Sequence, residues 1–132
     1  MAKKKKEQSG GKGEVRIVNR RARHDFHISE VVECGMVLQG TEVKSLRNKQ
    51  VRLDEAYARV KDGEVYLVGA NIAPYPQASP AMQHDPLRDR KLLLHKRQIA
   101  QIESHVRQKG KTVIPLAIYF KRGLAKCELG IA

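Results

Sequence analysis

Tyr57-Ala58-Arg59-Val60-Lys61-Asp62-Gly63-Glu64-Val65-Tyr66-Leu67-Val68 decides the fold. Apolar and polar residues alternate on both sides of Asp62-Gly63, a dipeptide that supplies the two positive φ angles of a two-residue hairpin turn. The turn sets the register: Lys61 faces Glu64, Val60 faces Val65, Ala58 faces Leu67 and Tyr57 faces Val68. Ala58, Val60, Val65 and Leu67 then share the buried face. Residues 55–61 and 64–72 make this hairpin. A second is predicted from 112–121 and 124–131 around Arg122-Gly123. Its expected core face is Leu116, Ile118, Phe120, Ala125, Cys127 and Leu129. Pro115 lacks a ladder donor and belongs near an edge or bulge.

Shorter strands are predicted at 15–18, around Phe26 and Ile28, at 36–38 and at 91–94. Val31-Val32 breaks the alternation, which reads as a bulge. Between the first two strands, residues 19–23 read as an exposed basic turn. Gly40-Thr41 opens a helix of about two turns through Val43 and Leu46. His95-Lys96-Arg97-Gln98 opens a longer one, with Ile99, Ile102 and Val106 as its apolar stripe and Lys109-Gly110 as its stop. The loop 73–90 carries Pro74, Pro76, Pro80 and Pro86, which exclude regular helix or central strand. Loops of that length are usually functional or mobile. The expected fold is mainly β with helices: a small antiparallel barrel with one short and one longer flanking helix. Residues 1–13 read as a flexible basic arm and 14–132 as the folded domain.

The 132 residues suffice for one domain. Lys and Arg number 26 against 14 Asp and Glu, giving a formal charge of +12 and a pI of about 10.0. No apolar run approaches the ~18–20 residues of a membrane helix. Cys34 and Cys127 form neither a CxxC pair nor a disulfide framework. The expectation is a cytoplasmic monomer without membrane attachment. Residues 1–23 hold nine basic and two acidic residues, and 86–111 hold eight and two, whereas 24–85 hold six and nine. Two basic blocks around an acidic middle, at a pI above ~9, are the electrostatic footprint of nucleic-acid binding.

Known catalytic patterns are mostly missing. Gly10-Gly11-Lys12-Gly13 lacks the strand, spacing and hydroxyl of a phosphate loop. His24 and His27 fall on opposite faces of a strand, and His84-Asp85 reads better as a turn cap than as a ligand or base. No catalytic group, metal site or cofactor is expected. Asn19-Arg20-Arg21-Ala22-Arg23-His24 sets three guanidiniums beside an amide and an imidazole. Guanidiniums grip phosphates, and an amide reads base edges. Arg88, Arg90, Lys91, Lys96 and Arg97 form a second cluster suited to phosphate. Residue by residue, Glu33 reads as an arginine partner and Leu93 as core. Buried or strand-phased aromatics favour recognition of backbone and folded shape over a stacking groove. From composition alone, a general single-strand binder or a structural ribosomal protein fits as well, and a metal-dependent nuclease less so.

Residues 19–26, Asn-Arg-Arg-Ala-Arg-His-Asp-Phe, resemble the opening of small protein B, the bacterial SsrA-binding protein family. Gly35 to Arg47, His84 to Arg97, Val113 to Leu116 and Glu128 to Ala132 match in the same order, so the resemblance covers about residues 15–132. It implies an oligonucleotide-binding-type (OB) barrel and no catalysis. It implies an adaptor that binds the tRNA-like domain of transfer-messenger RNA and delivers it to stalled ribosomes in trans-translation. Family RNA-contact positions fall on Asn19, Glu33 and Leu93. Arg20, Arg21, Arg23, Lys91 and Lys96 join them on charge. Cys34 stands where alanine is commoner, and Phe26 where tyrosine is usual. Family members continue beyond Gly-Ile-Ala into a basic tail that enters the messenger path. The sequence given ends at Ala132, and the expectation is a chain that binds its RNA without supporting tagging.

Overall fold

A computed structural model describes residues 15–108 and 111–132. The expected basic arm at 1–13 and the helix stop at Lys109-Gly110 lie outside them. The strands are β1 (Arg16–Val18), β2 (Glu30–Met36), β3 (Val51–Arg52), β4 (Tyr57–Lys61), β5 (Glu64–Val68), β6 (Asn71–Ile72), β7 (Arg90–Leu93), β8 (Val113–Lys121) and β9 (Leu124–Ile131). The helices are α1 (Arg20–Asp25), α2 (Gly40–Arg47) and α3 (Lys96–Arg107). Seven strands form one antiparallel sheet in the order β1-β8-β9-β2-β7-β5-β4; β3 and β6 pair separately.

Both hairpins turn as their sequences dictate. Asp62 and Gly63 have φ of 52° and 75°, and Arg122 and Gly123 have 55° and 80°. The β4–β5 register runs Tyr57 to Val68 and Lys61 to Glu64, as the two-residue turn requires. Val65, Leu67, Leu92, Ile118 and Leu129 are fully or almost fully buried on the inner face, each worth about 1.5–3 kcal/mol over exposure. Cys34 and Cys127 lie directly opposite each other in that core, both as free thiols. The neighbouring Cys34 thiol, and then burial, push the Cys127 thiol well up, so it is unreactive.

Several expectations change. Residues 20–25 are a helix, not a turn, because Asn19 caps it: its Oδ1 accepts from the Ala22 amide at 3.3 Å. Phe26 and Ile28 fall in an irregular link, and β2 begins at Glu30 and runs unbroken to Met36. Val31 breaks the apolar alternation because it faces outward, opposite Gly130. Leu116 leaves the main core. A bulge between Pro115 and Ala117 turns it into a second cluster with Ala22 and Ile114. In α3, Ile102 is buried and Ile99 packs beside it, but Val106 is exposed.

The sheet is open rather than a closed barrel. It curls until β4 comes back against β8, yet no ladder joins them. Over Ala117–Tyr119 the free edge of β8 belongs to β1. Beyond that, Pro115 has no N–H to donate and the bulge disrupts the ladder. At the head of this seam Asn19 ties the residues before β4 to β8. Its amide nitrogen donates to the carbonyls of Pro115 at 2.9 Å and Leu53 at 3.2 Å, while its backbone N–H donates to Leu116.

The proline loop is pinned. Gln83 and Tyr75 exchange two hydrogen bonds at 2.8 and 2.9 Å. Buried His84 holds Thr41 and the Ile72 carbonyl through its two ring nitrogens, and Asp85 accepts from the Leu87 amide, as a turn cap does. Gly69 sits at φ +83°, and a Cβ there would come within 2.6 Å of the Glu55 carbonyl. Only glycine fits that close approach.

Candidate nucleic-acid interface

The outward residues of the large sheet form a chemically mixed row. Register places Leu93 (β7), Gly35 (β2), Lys126 (β9), Tyr119 (β8) and Arg16 (β1) side by side across five strands. Glu33 and Glu128 pair in the adjoining row, and Lys91 lies two residues before Leu93, beside Tyr66. Strand alternation puts them there: their neighbours Leu92, Cys34, Cys127 and Ile118 point into the core. Gly35 leaves a gap in the row, and Leu93 borders it, 3.4 Å from where a Cβ would stand.

Leu93 is therefore not core. It is 52% exposed, an apolar side chain flanked by charge. Glu33 accepts a hydrogen bond from the Tyr119 hydroxyl, and Lys121 lies 3.5 Å from its other oxygen. The Tyr119 hydrogen bond holds the Glu33 carboxyl below its ordinary range, against a smaller effect of burial. Arg16 stacks 4.9 Å from the Tyr119 ring centre and reaches Glu128 at 3.6 Å. Lys91 pairs with Glu64 at 3.6 Å.

Helix α1 presents the first basic cluster. Ala22 buries itself against Ile114 and Leu116, and the arginines project from the other faces. Arg21 is held by Asp25 at 2.9 Å and Glu55 at 3.2 Å. Among the described residues Arg20 and Arg23 have no acidic partner, so two guanidiniums face solvent uncompensated. Asn19, 6% exposed, has its amide engaged inside the protein. Lys96 opens α3 just beyond β7; its helix is capped as the sequence indicates, with the His95 amide donating to Gln98 at 2.9 Å.

The second basic cluster dissolves on folding. Arg90, expected at a phosphate site, is 0% exposed, and so is Glu42. Arg90 Nε donates to Glu42 at 2.7 Å, and its other nitrogens reach the carbonyls of Ala70, Pro86 and Asp85 at 2.8–3.2 Å. Arg88 grips the same carboxylate at 2.6 and 3.2 Å. Burial pushes the Glu42 carboxyl up. Hydrogen bonds from Arg88, the Gln39 amide and Arg90 outweigh it and leave the carboxyl below its ordinary range. The pair is ionised and closed to ligands. Thus Glu33, Lys91 and Leu93 share the sheet face, Arg20 and Arg23 stand on α1, Arg90 belongs to the interior, and half-buried Arg88 is committed to Glu42.

Sequence reasoning missed Tyr119, Arg16, Lys121 and Lys126. For Tyr119, Lys121 and Lys126 the signal is present: they occupy the alternate positions of strands whose other phase reads as core. Among the described residues, no three His, Cys, Asp or Glu side chains gather as a metal ion would need, and no helix is long and apolar enough to cross a membrane.

Comparison with known proteins was consistent across sequence and structure. A family profile described as SmpB protein matches residues 16–132. The chain is similar to the SsrA-binding protein of Acetivibrio thermocellus, at 52% identity over 123 residues, covering 92% of this chain and 79% of that protein. It is similar to the SsrA-binding protein of Chloroflexus aggregans, at 54% over 114 residues, covering 86% and 72%. Its fold is similar to a chain in a solved structure described as "tmRNA-SmpB: a journey to the center of the bacterial ribosome". There the TM-score is 0.74 and the identity 51%, over 88% of this chain and 81% of that one.

Proposed function

The chain belongs to the SmpB protein family, and from that premise we propose that it is an RNA-binding adaptor of ribosome rescue. It binds the tRNA-like domain of transfer-messenger RNA and delivers it to stalled ribosomes in trans-translation. It does this without catalysis, in the cytoplasm, through the domain 14–132.

The observation that carries the reading is the open face of the sheet. An exposed leucine, an ionised carboxylate and several cations lie within neighbouring register positions. Leu93 offers an apolar contact to a nucleotide, Glu33 accepts from 2′-hydroxyls or base amino groups, and Lys91 neutralises phosphate. Arg20 and Arg23 take further phosphates from α1, with Arg21 more tightly held beside them, and Lys96 contributes from the start of α3. Asn19 serves the interface from below, by fixing the helix that carries the arginines.

Binding to the tRNA-like domain, to ordinary tRNA and to single-stranded DNA, measured at several salt concentrations, tests the proposal. Preference for the tRNA-like domain that survives moderate salt is the expected result. Equal binding to all three, collapsing steeply with salt, is the behaviour of a counterion sink and overturns it.

A further inference from the structure

We propose that Tyr119 is a positioning residue for RNA recognition: its hydroxyl fixes the Glu33 carboxylate as an acceptor for a donor group of one bound nucleotide. The inference rests on the reading that the open sheet face binds RNA.

Tyr119 stands in the outward row between Arg16 and Lys126. Arg16 holds its ring by stacking, and its hydroxyl donates to Glu33 Oε2. Glu33 is on a different strand, two ladders away through β9. A glutamate on an exposed strand samples several rotamers; one bound to a neighbouring ring hydroxyl keeps few of them. Fixing it before RNA arrives removes part of the ordering cost of binding. A carboxylate has about four acceptor positions, of which Tyr119 and Lys121 use two. The others remain for an N–H or O–H of the ligand. The Tyr119 hydroxyl stays protonated as donor, because burial and Glu33 both push its ionisation upward. Lys121, Lys126 and Arg16 offset the repulsion between Glu33 and RNA phosphates.

The matching donor is a ribose 2′-hydroxyl or a base amino group. The test is a double-mutant cycle on affinity for the tRNA-like domain, using Tyr119→Phe, Glu33→Gln and the double variant. Tyr119→Phe keeps the ring and the Arg16 stack, so its thermal midpoint should match the parent. We expect about fivefold weaker binding for Tyr119→Phe, about tenfold for Glu33→Gln, and no further loss in the double variant. Side-chain NMR should show the Glu33 carboxyl titrating at higher pH in Tyr119→Phe. Repeating the cycle with RNA carrying 2′-deoxyriboses, and with inosine for guanosine, identifies the donor by which change abolishes the sensitivity to Glu33. Losses that multiply in the double variant overturn the inference, as does full affinity of Tyr119→Phe beside a weakened Glu33→Gln. If Glu33→Gln binds as the parent does, Glu33 is no contact and the inference falls with that part of the interface. If the parent protein itself shows no preference for the tRNA-like domain, the broader reading fails first.

Discussion

The arginines of α1 and those leading into β7 are equally dense in the sequence and have opposite fates. Arg20 and Arg23 stand on a short helix whose buried face is a single alanine, so their charge goes to solvent. Arg88 and Arg90 converge on Glu42, Arg90 wholly buried and Arg88 half-buried above it. A cation's availability is decided by what lies across from it in space. A buried carboxylate at the start of α2 removes two of the five cations of what looked like a phosphate site, while the acidic residues near α1 engage, of its three arginines, only Arg21.

Removing Glu42 breaks this contrast most severely. Glu42→Gln leaves Arg90 charged and buried with carbonyls alone, and should cost about 3–5 kcal/mol, read as a lower urea midpoint. The same cluster fixes an acid dependence. Because the folded-state pKa of Glu42 is depressed, its stabilisation is complete above the ordinary value of 4.5 and is lost as pH falls through the folded value. Urea midpoints measured across that window should decline in the parent and stay flatter in Glu42→Gln.

A smaller effect is expected at Asn19. Asn19→Ala deletes a helix cap and leaves the Leu53 and Pro115 carbonyls without their donor, a loss of about 2–3 kcal/mol. The contrast itself is sharpened by salt titration of RNA binding. Arg20→Ala and Arg23→Ala should each reduce the slope of log affinity against log salt by about one. Arg88→Ala should leave that slope unchanged, whatever it does to stability. The smallest effect is a gain. Lys49 ends α2 at φ 59°, with the Lys49 and Gln50 amides closing onto Leu46 and Ser45. Lys49→Gly should raise stability by about 0.5 kcal/mol by relieving that left-handed conformation.

The hairpins were legible because their turns impose register locally: two residues with positive φ determine every pair above them. The reciprocal cap of α3 at His95 and Gln98 was legible for the same reason. Helix α1 was not, since six residues with one buried alanine carry no periodicity, and the capping residue Asn19 is held in place by the Leu53 and Pro115 carbonyls, far away in the chain. The fate of Leu116 turned on one bulge, and that of Arg90 on a glutamate 48 residues earlier. The face joining Leu93, Gly35, Lys126, Tyr119 and Arg16 was half legible. Alternation identifies outward positions on each strand, but strand order is needed to line them up. That order, β8-β9-β2-β7, is not the order of the chain.

The seam between β4 and β8 has a consequence for motion. A ladder opens cooperatively, several bonds at a time, whereas a gap bridged by one side chain opens when that amide lets go. Deuterium should therefore enter first at the backbone amides of Asn19 and Ala22, well before those of the β2–β9 ladder. If RNA bound on α1 slows that exchange, the molecule breathes along a line that its own ligand holds shut.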